Sequence, residues 1–257
     1  MTTTRELPAE AARALARLQA DLQEIFGNRL ESLVLYGAHA SATTDAAAAR
    51  PANAPLHTLA LVASLAYGDL VSCASRVPAW TRGGLATPLL LGADEFAASL
   101  DAFPLEYGAI IAHHHVVHGP DPFVGVSVDA EDVRRACEVQ AKSHLLHLRE
   151  GFLETGGRGE AVARLIQDSI GSFSSLLINL ATLDRALDGA GAATPEALAR
   201  YAERRIQLSS TLVTRLLALP ARPTPGADDA AQLYPPYLDA SEKLARFVDR
   251  WKERAPE

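Results

Sequence analysis

The hydrophobic pattern of this chain changes period once, near the segment GPDPFVGVSVDA that starts at Gly119. Before it, short apolar runs alternate with glycine and proline. After it, apolar residues recur every three or four positions with few interruptions. A strand needs a period of two and a helix a period of 3.6, so the two halves cannot share one architecture. The 257 residues suffice for two domains of ordinary size. The expected units are residues 1–125, mixed α+β, and 126–257, a four-helix-bundle-like domain, with the boundary between about 119 and 130.

In the first half, Leu15, Leu18, Leu22 and Ile25 predict a helix over 7–26, stopped by Gly27-Asn28. SLVLYG and LHTLALVA read as strands, AYGDLVSCASRVPAW as a helix ending near Pro78, TPLLLG as a third strand and ADEFAASL as a short helix. FPLEYGAIIAHHHVVHG is expected to hold a fourth strand and room for a fifth. ATTDAAAARPANAP is low in complexity and reads as a loop. In the second half, Asp129 and Asp132 open a helix carrying Val133, Cys137, Leu145, Leu148 and Phe152 on one face, stopped by Gly156-Gly157. A second helix spans about 158–188. A third starts at Thr194-Pro195 and reaches about Leu219, and a fourth includes Tyr237, Leu244, Phe247, Val248 and Trp251.

Composition narrows the function. Residues 1–128 carry 7 Lys+Arg against 12 Asp+Glu, and the remainder 17 against 19, for a net charge of −7. Neither half has the positive excess of a nucleic-acid binder; Arg200, Arg204 and Arg205 read as a solvated helix face. Cys73 and Cys137 build neither a disulfide framework nor a Cys-based zinc site. No apolar run approaches a membrane span, and the N-terminus has no signal-peptide core. The expectation is a soluble cytoplasmic protein, with no membrane partner and homo-oligomerisation left open.

The order of helix, strand ending Leu35-Tyr36-Gly37, loop and second apolar strand resembles the nucleotidyltransferase fold of polymerase-β-like enzymes, kanamycin nucleotidyltransferase and the minimal nucleotidyltransferases. The family pattern is roughly L-x-Y-G-S-x-A-R-G, a loop, then S-D-x-D-L-L-V. Here it stands as Leu35-Tyr36-Gly37-Ala38-His39-Ala40-Ser41-Ala42 and Leu56-His57-Thr58-Leu59-Ala60-Leu61-Val62. A family-like F-P-L-E segment follows at 103–106, and Glu138, Lys142 and Arg149 match an E-x-x-x-K-x-x-x-x-x-x-R pattern. The resemblance implies a small mixed sheet followed by a helical domain. It places Gly37, Ala38, His39 and His57 at a ligand site, with Lys142 and Arg149 able to reach an anion from the second domain across an inter-domain cleft.

The departures decide what chemistry to expect. Ala38 has no hydroxyl, and Ser41-Ala42 replaces Arg-Gly. The two metal-binding carboxylates of the second strand align with His57 and Leu59, and Asp45 is the single acid between Gly37 and Val62. Magnesium requires hard oxygen ligands, so no metal site is expected. Glu106 falls near a third family carboxylate, as a possible remnant or as a strand-edge or ion-paired residue. His113, His114, His115 and His118 read as surface histidines; a closed zinc site would need His39 or His57 as well. His144 and His147 do not stand at the spacing of an R-x(4–6)-H ribonuclease motif.

The resulting expectation is a catalytically degenerate nucleotidyltransferase-like protein that binds a small anion, a nucleotide or a partner, with no cofactor. One alternative is an active nucleotidyltransferase using Mg²⁺ and ATP on a small hydroxyl-bearing acceptor. Another is an interaction protein whose cleft is unused.

Overall fold

The computed structural model describes residues 8–40, 54–184, 186 and 193–251. The chain divides into two compact units, Met1–Asp129 and Ala130–Glu257.

In the first unit, the described elements run α1 (Ala9–Phe26), β1 (Leu30–Tyr36), β2 (His57–Val62), α2 (Tyr67–Arg82), β3 (Leu89–Gly92), α3 (Ala93–Ala98), α4 (Pro104–Ala112) and β4 (His114–His118). The strands form one mixed sheet in the order β3-β2-β1-β4. β1 is antiparallel to both neighbours, with Tyr36 opposite His57 on one side and His114 on the other; β2 and β3 are parallel. Leu33, Val34 and Leu35 are all buried, because β1 is central and covered on both faces. One face packs Leu33, Leu35, Ala60 and Val62 against Leu15, Leu18, Leu22 and Trp80. The other packs Val34, Leu59 and Leu61 against Phe96, Tyr107, Ile110 and Phe123.

Two expectations fail in this unit. The helix expected to end near Pro78 runs on to Arg82. An interior proline costs about 3 kcal/mol, but Trp80 is 1% exposed and its indole donates to Asp21 at 2.8 Å. Packing on α1 outweighs the proline. FPLEYGAIIAHHHVVHG ends in the expected fourth strand, β4, but FPLEYGAIIA, where a fifth had room, is the helix α4. Pro104 sits in its first turn, where a fixed φ is pre-organised and no N–H is needed. Tyr107 and Ile110, three apart, are both buried.

The second unit contains α5 (Ala130–Thr155), α6 (Gly159–Leu183), α7 (Pro195–Tyr201), α8 (Ser210–Leu217) and α9 (Ala227–Asp249). The third long helix of the sequence reading is broken into α7 and α8. A π-turn at Ala202–Ile206 is followed by Gln207 in the left-handed region, φ 61°. Ser209 then caps α8 by accepting from the Leu212 amide. The break lies beside Asp184, whose carboxylate receives Arg205, Tyr201 and Trp251.

The inward face of α5 is also rotated from expectation. Cys137, Ala141, His144 and Leu148 are buried, whereas Phe152 is 37% exposed and stacks on Tyr234. His144 takes a core position because Nε2 meets the Tyr237 hydroxyl at 3.1 Å, which in turn meets Ser169 Oγ at 3.0 Å. Burial, with a smaller contribution from His147, pushes the His144 pKa from 6.5 down to about 4. The unfolded chain therefore takes up this proton first as pH falls. The stability of the neutral, buried ring is complete above pH 6.5 and is lost as pH falls toward 4. The expected loss is on the order of 3 kcal/mol. Urea midpoints at pH 7 and pH 4.5 measure it, and His144→Phe should remove most of the pH dependence. An equal acid slope in that variant would show that another group is responsible.

Candidate functional site

β1 ends at Tyr36, and Gly37 then turns the chain into a short 3-10 turn over Gly37–His39. Gly37 has φ 76°, which L side chains rarely adopt, and a Cβ there would meet nothing within 4 Å. The glycine answers to backbone conformation, and the space beside it is open. Two backbone amides of this turn are already engaged. Gly37 N–H donates to the His113 carbonyl at 3.3 Å, and Ala40 N–H donates to the Gly37 carbonyl at 3.0 Å.

Cross-strand pairing sets His57, Tyr36 and His114 abreast on one face at this end of the sheet. The rings of Tyr36 and His57 are 5.8 Å apart. Tyr36 is half-buried, which raises its pKa; His57 is exposed. His39 places Nε2 3.0 Å from the Ala54 carbonyl. His114 is held differently: Nδ1 lies 2.9 Å from the Ile111 carbonyl, Nε2 lies 3.2 Å from Asp121, and the ring meets Phe123 edge-on. Gly37, His39 and His57 are thus gathered at one end of the sheet. Ser41, Ala42 and Asp45 lie outside the described residues, as does the side chain of Ala38.

Two residues along β2 from His57, on the same face, stands Leu59. It is 1% exposed and belongs to the core of Val34, Leu61, Phe96, Tyr107, Ile110 and Phe123. The position aligned with the family's second carboxylate is closed hydrocarbon. Nothing in the sequence around Leu59 names its packing partners on α3 and α4. Glu106 is neither on a strand nor, among the described residues, in an ion pair; it lies exposed in the first turn of α4. A carboxylate there is favoured by the helix dipole without any metal.

Lys142 and Arg149 lie on one face of α5, both half-exposed. Lys142 is bracketed by Asp249 at 2.8 Å and Glu138 at 2.6 Å, and these two carboxylates raise its pKa. Arg149 meets Glu242 at 2.7 Å. Glu150, next to Arg149 in sequence, instead lies 3.5 Å from His147. Exposed pairs of this kind contribute about 0–1 kcal/mol each, but they leave neither cation uncompensated. Among the described residues, no group of three or more His, Cys, Asp or Glu is arranged to hold a metal ion. No helix among them is long and apolar enough to cross a membrane.

No family model matches the chain, and no curated protein does. Among solved structures, it is similar to a spectinomycin adenyltransferase from Enterococcus faecialis, determined with ATP and spectinomycin. The likeness covers 90% of this chain and 98% of that one, at 11% identity and a TM-score of 0.52. Together with the mixed four-stranded sheet and the helical C-terminal part, it establishes a nucleotidyltransferase-like fold.

Proposed function

We propose that this chain is a catalytically degenerate nucleotidyltransferase-like protein that binds a small anion or nucleotide without transferring it. The observation that carries this reading is Leu59, buried in the core where the resemblance calls for a metal-binding carboxylate. Nucleotidyl transfer depends on positioning and on neutralising phosphate charge with metal. Leucine offers no ligand, and the neutral imidazole of His57 is a poor one for a hard cation. Loss of both carboxylates removes several kcal/mol of transition-state stabilisation, hence about a thousandfold or more in rate.

Binding is a weaker demand than transfer. The open space at Gly37 and the exposed imidazole of His57 leave room and a ring N–H for an anion at this end of the sheet. Lys142 and Arg149 are already neutralised within their own unit, so the proposed contact is the Gly37 end of the sheet alone.

The test has two arms. With Mg²⁺ present, transfer from ATP to spectinomycin, aminoglycosides and simple hydroxyl acceptors is expected to stay at background. With EDTA present, millimolar ATP or a phosphosugar is expected to raise the melting temperature as RT ln(1+[L]/Kd), and His57→Ala is expected to abolish the rise. Robust metal-dependent turnover would reject the degenerate reading. A melt unmoved by any anion would reject the binding site.

A further inference from the structure

At the end of the sheet away from Gly37, β1 starts with a bulge. Leu30 pairs with Val62 and Ser32 with Leu61, so Glu31 has no partner of its own on β2. Bulges re-aim side chains and recur beside binding sites. Glu31 lines a pocket of about 250 Å³ contained within the first unit. The walls are apolar, formed by Leu61 of β2, Phe96 and Ala97 of α3, and Leu100, Pro120 and Val126 beyond them. Ser32 is the second polar lining residue, but its hydroxyl already donates to the Pro120 carbonyl at 2.9 Å. Glu31 is exposed and, among the described residues, makes no ion pair. Of the residues that line the pocket, Glu31 is the one that carries a charge.

We propose that this pocket binds a one-ring organic ammonium ion, the ring against Phe96, Leu61 and Leu100 and the ammonium at Glu31. Size and charge both point to that class. An apolar cavity of about 150 Å³ holds benzene, and drug-sized ligands need about 300 Å³ or more, so a single ring fits and a nucleotide does not. Residues 1–128 carry 7 Lys+Arg against 12 Asp+Glu, a field that attracts cations and repels anions. Glu31 stands six residues of strand before Gly37, roughly 20 Å at about 3.3 Å each. The pocket is therefore separate from the proposed anion site, and its occupancy is independent of that reading.

Titration of the isotope-labelled chain with benzylamine, benzyl alcohol and benzoate, followed by amide chemical shifts, tests the proposal without any nucleotide. Benzylamine is expected to shift Glu31, Phe96 and Ala97 at millimolar concentration. Benzyl alcohol should bind about fivefold more weakly, as an exposed ion pair warrants, and benzoate more weakly still. Ala97 is an exposed position on α3; Ala97→Phe fills the pocket from its rim and should abolish binding. Glu31→Gln should leave the fold intact and make the amine and the alcohol equivalent. The proposal is overturned if benzoate binds as tightly as benzylamine, if Ala97→Phe binds unchanged, or if no ligand shifts these amides at tens of millimolar.

Discussion

Leu59→Asp is expected to unfold the first unit and not to arm it for catalysis. The leucine is 1% exposed among aliphatic and aromatic side chains. Its removal costs about 2–5 kcal/mol in lost burial and cavity. The unpartnered carboxyl adds a penalty of at least about 1–3 kcal/mol even when protonated. The total approaches the whole stability of a typical domain, roughly 5–15 kcal/mol. Burial would raise the new carboxyl's folded pKa above its unfolded value of about 3.9. The defect should thus be smallest below about pH 4 and should grow as pH rises from there toward the folded value. Urea midpoints of Leu59→Asp and the volume-conserving Leu59→Met measure this, the latter expected within about 1.5 kcal/mol of the parent. His57→Asp, at an exposed position, should change little. A stable double variant with Mg²⁺-dependent transfer would show that this face can open to a metal after all.

Asp184→Ala should produce a loss of similar size in the helical unit. The side chain is 4% exposed and receives Arg205 Nε at 2.8 Å, Tyr201 hydroxyl at 3.0 Å and Trp251 Nε1 at 3.1 Å. Burial alone would raise its pKa, but the hydrogen bonds from Arg205, Tyr201 and Trp251 outweigh it and hold the carboxyl below 3.8. Its stabilisation is present above that value and is lost only as pH falls through the depressed folded pKa. Alanine leaves two buried donors, Tyr201 and Trp251, unmatched and a one-third exposed guanidinium without its carboxylate, a cost of about 2–5 kcal/mol. Asp184→Asn should lose less, since an amide oxygen still accepts. A urea midpoint for Asp184→Ala within 1 kcal/mol of the parent (about a tenth of a typical domain's stability) would mean that the three donors find other acceptors.

Much of the candidate site was legible because its cause is local. Gly37 follows an apolar strand and takes φ 76°, a demand that the tripeptide itself announces. Lys142 and Arg149 share a helix face by spacing alone. Their counterions were legible only in part: Glu138 lies one turn before Lys142, but Glu242 stands 93 residues after Arg149. The row His57, Tyr36, His114 depends on strand register, and the register depends on which residues the sheet buries on each face.

The sequence by itself determined the helix of Leu15, Leu18 and Leu22, the apolar strands, and the switch to helical period near Asp129, because periodicity and turn chemistry act over a few residues. Tertiary structure decided the rest. Helix α2 continues through Pro78 because Trp80 reaches Asp21, 59 residues earlier. The run FPLEYGAIIA is too short for its period to tell strand from helix, and it becomes a helix where Tyr107 and Ile110 cover Leu59. A histidine enters the core of α5 because Tyr237, 93 residues later, supplies its hydrogen bond. The helix after Thr194 breaks where Arg205 and Tyr201 turn to Asp184. In each case a local preference worth about 1–3 kcal/mol is outweighed by the burial or satisfaction of a group whose partner lies far along the chain, and no local pattern can report such a partner.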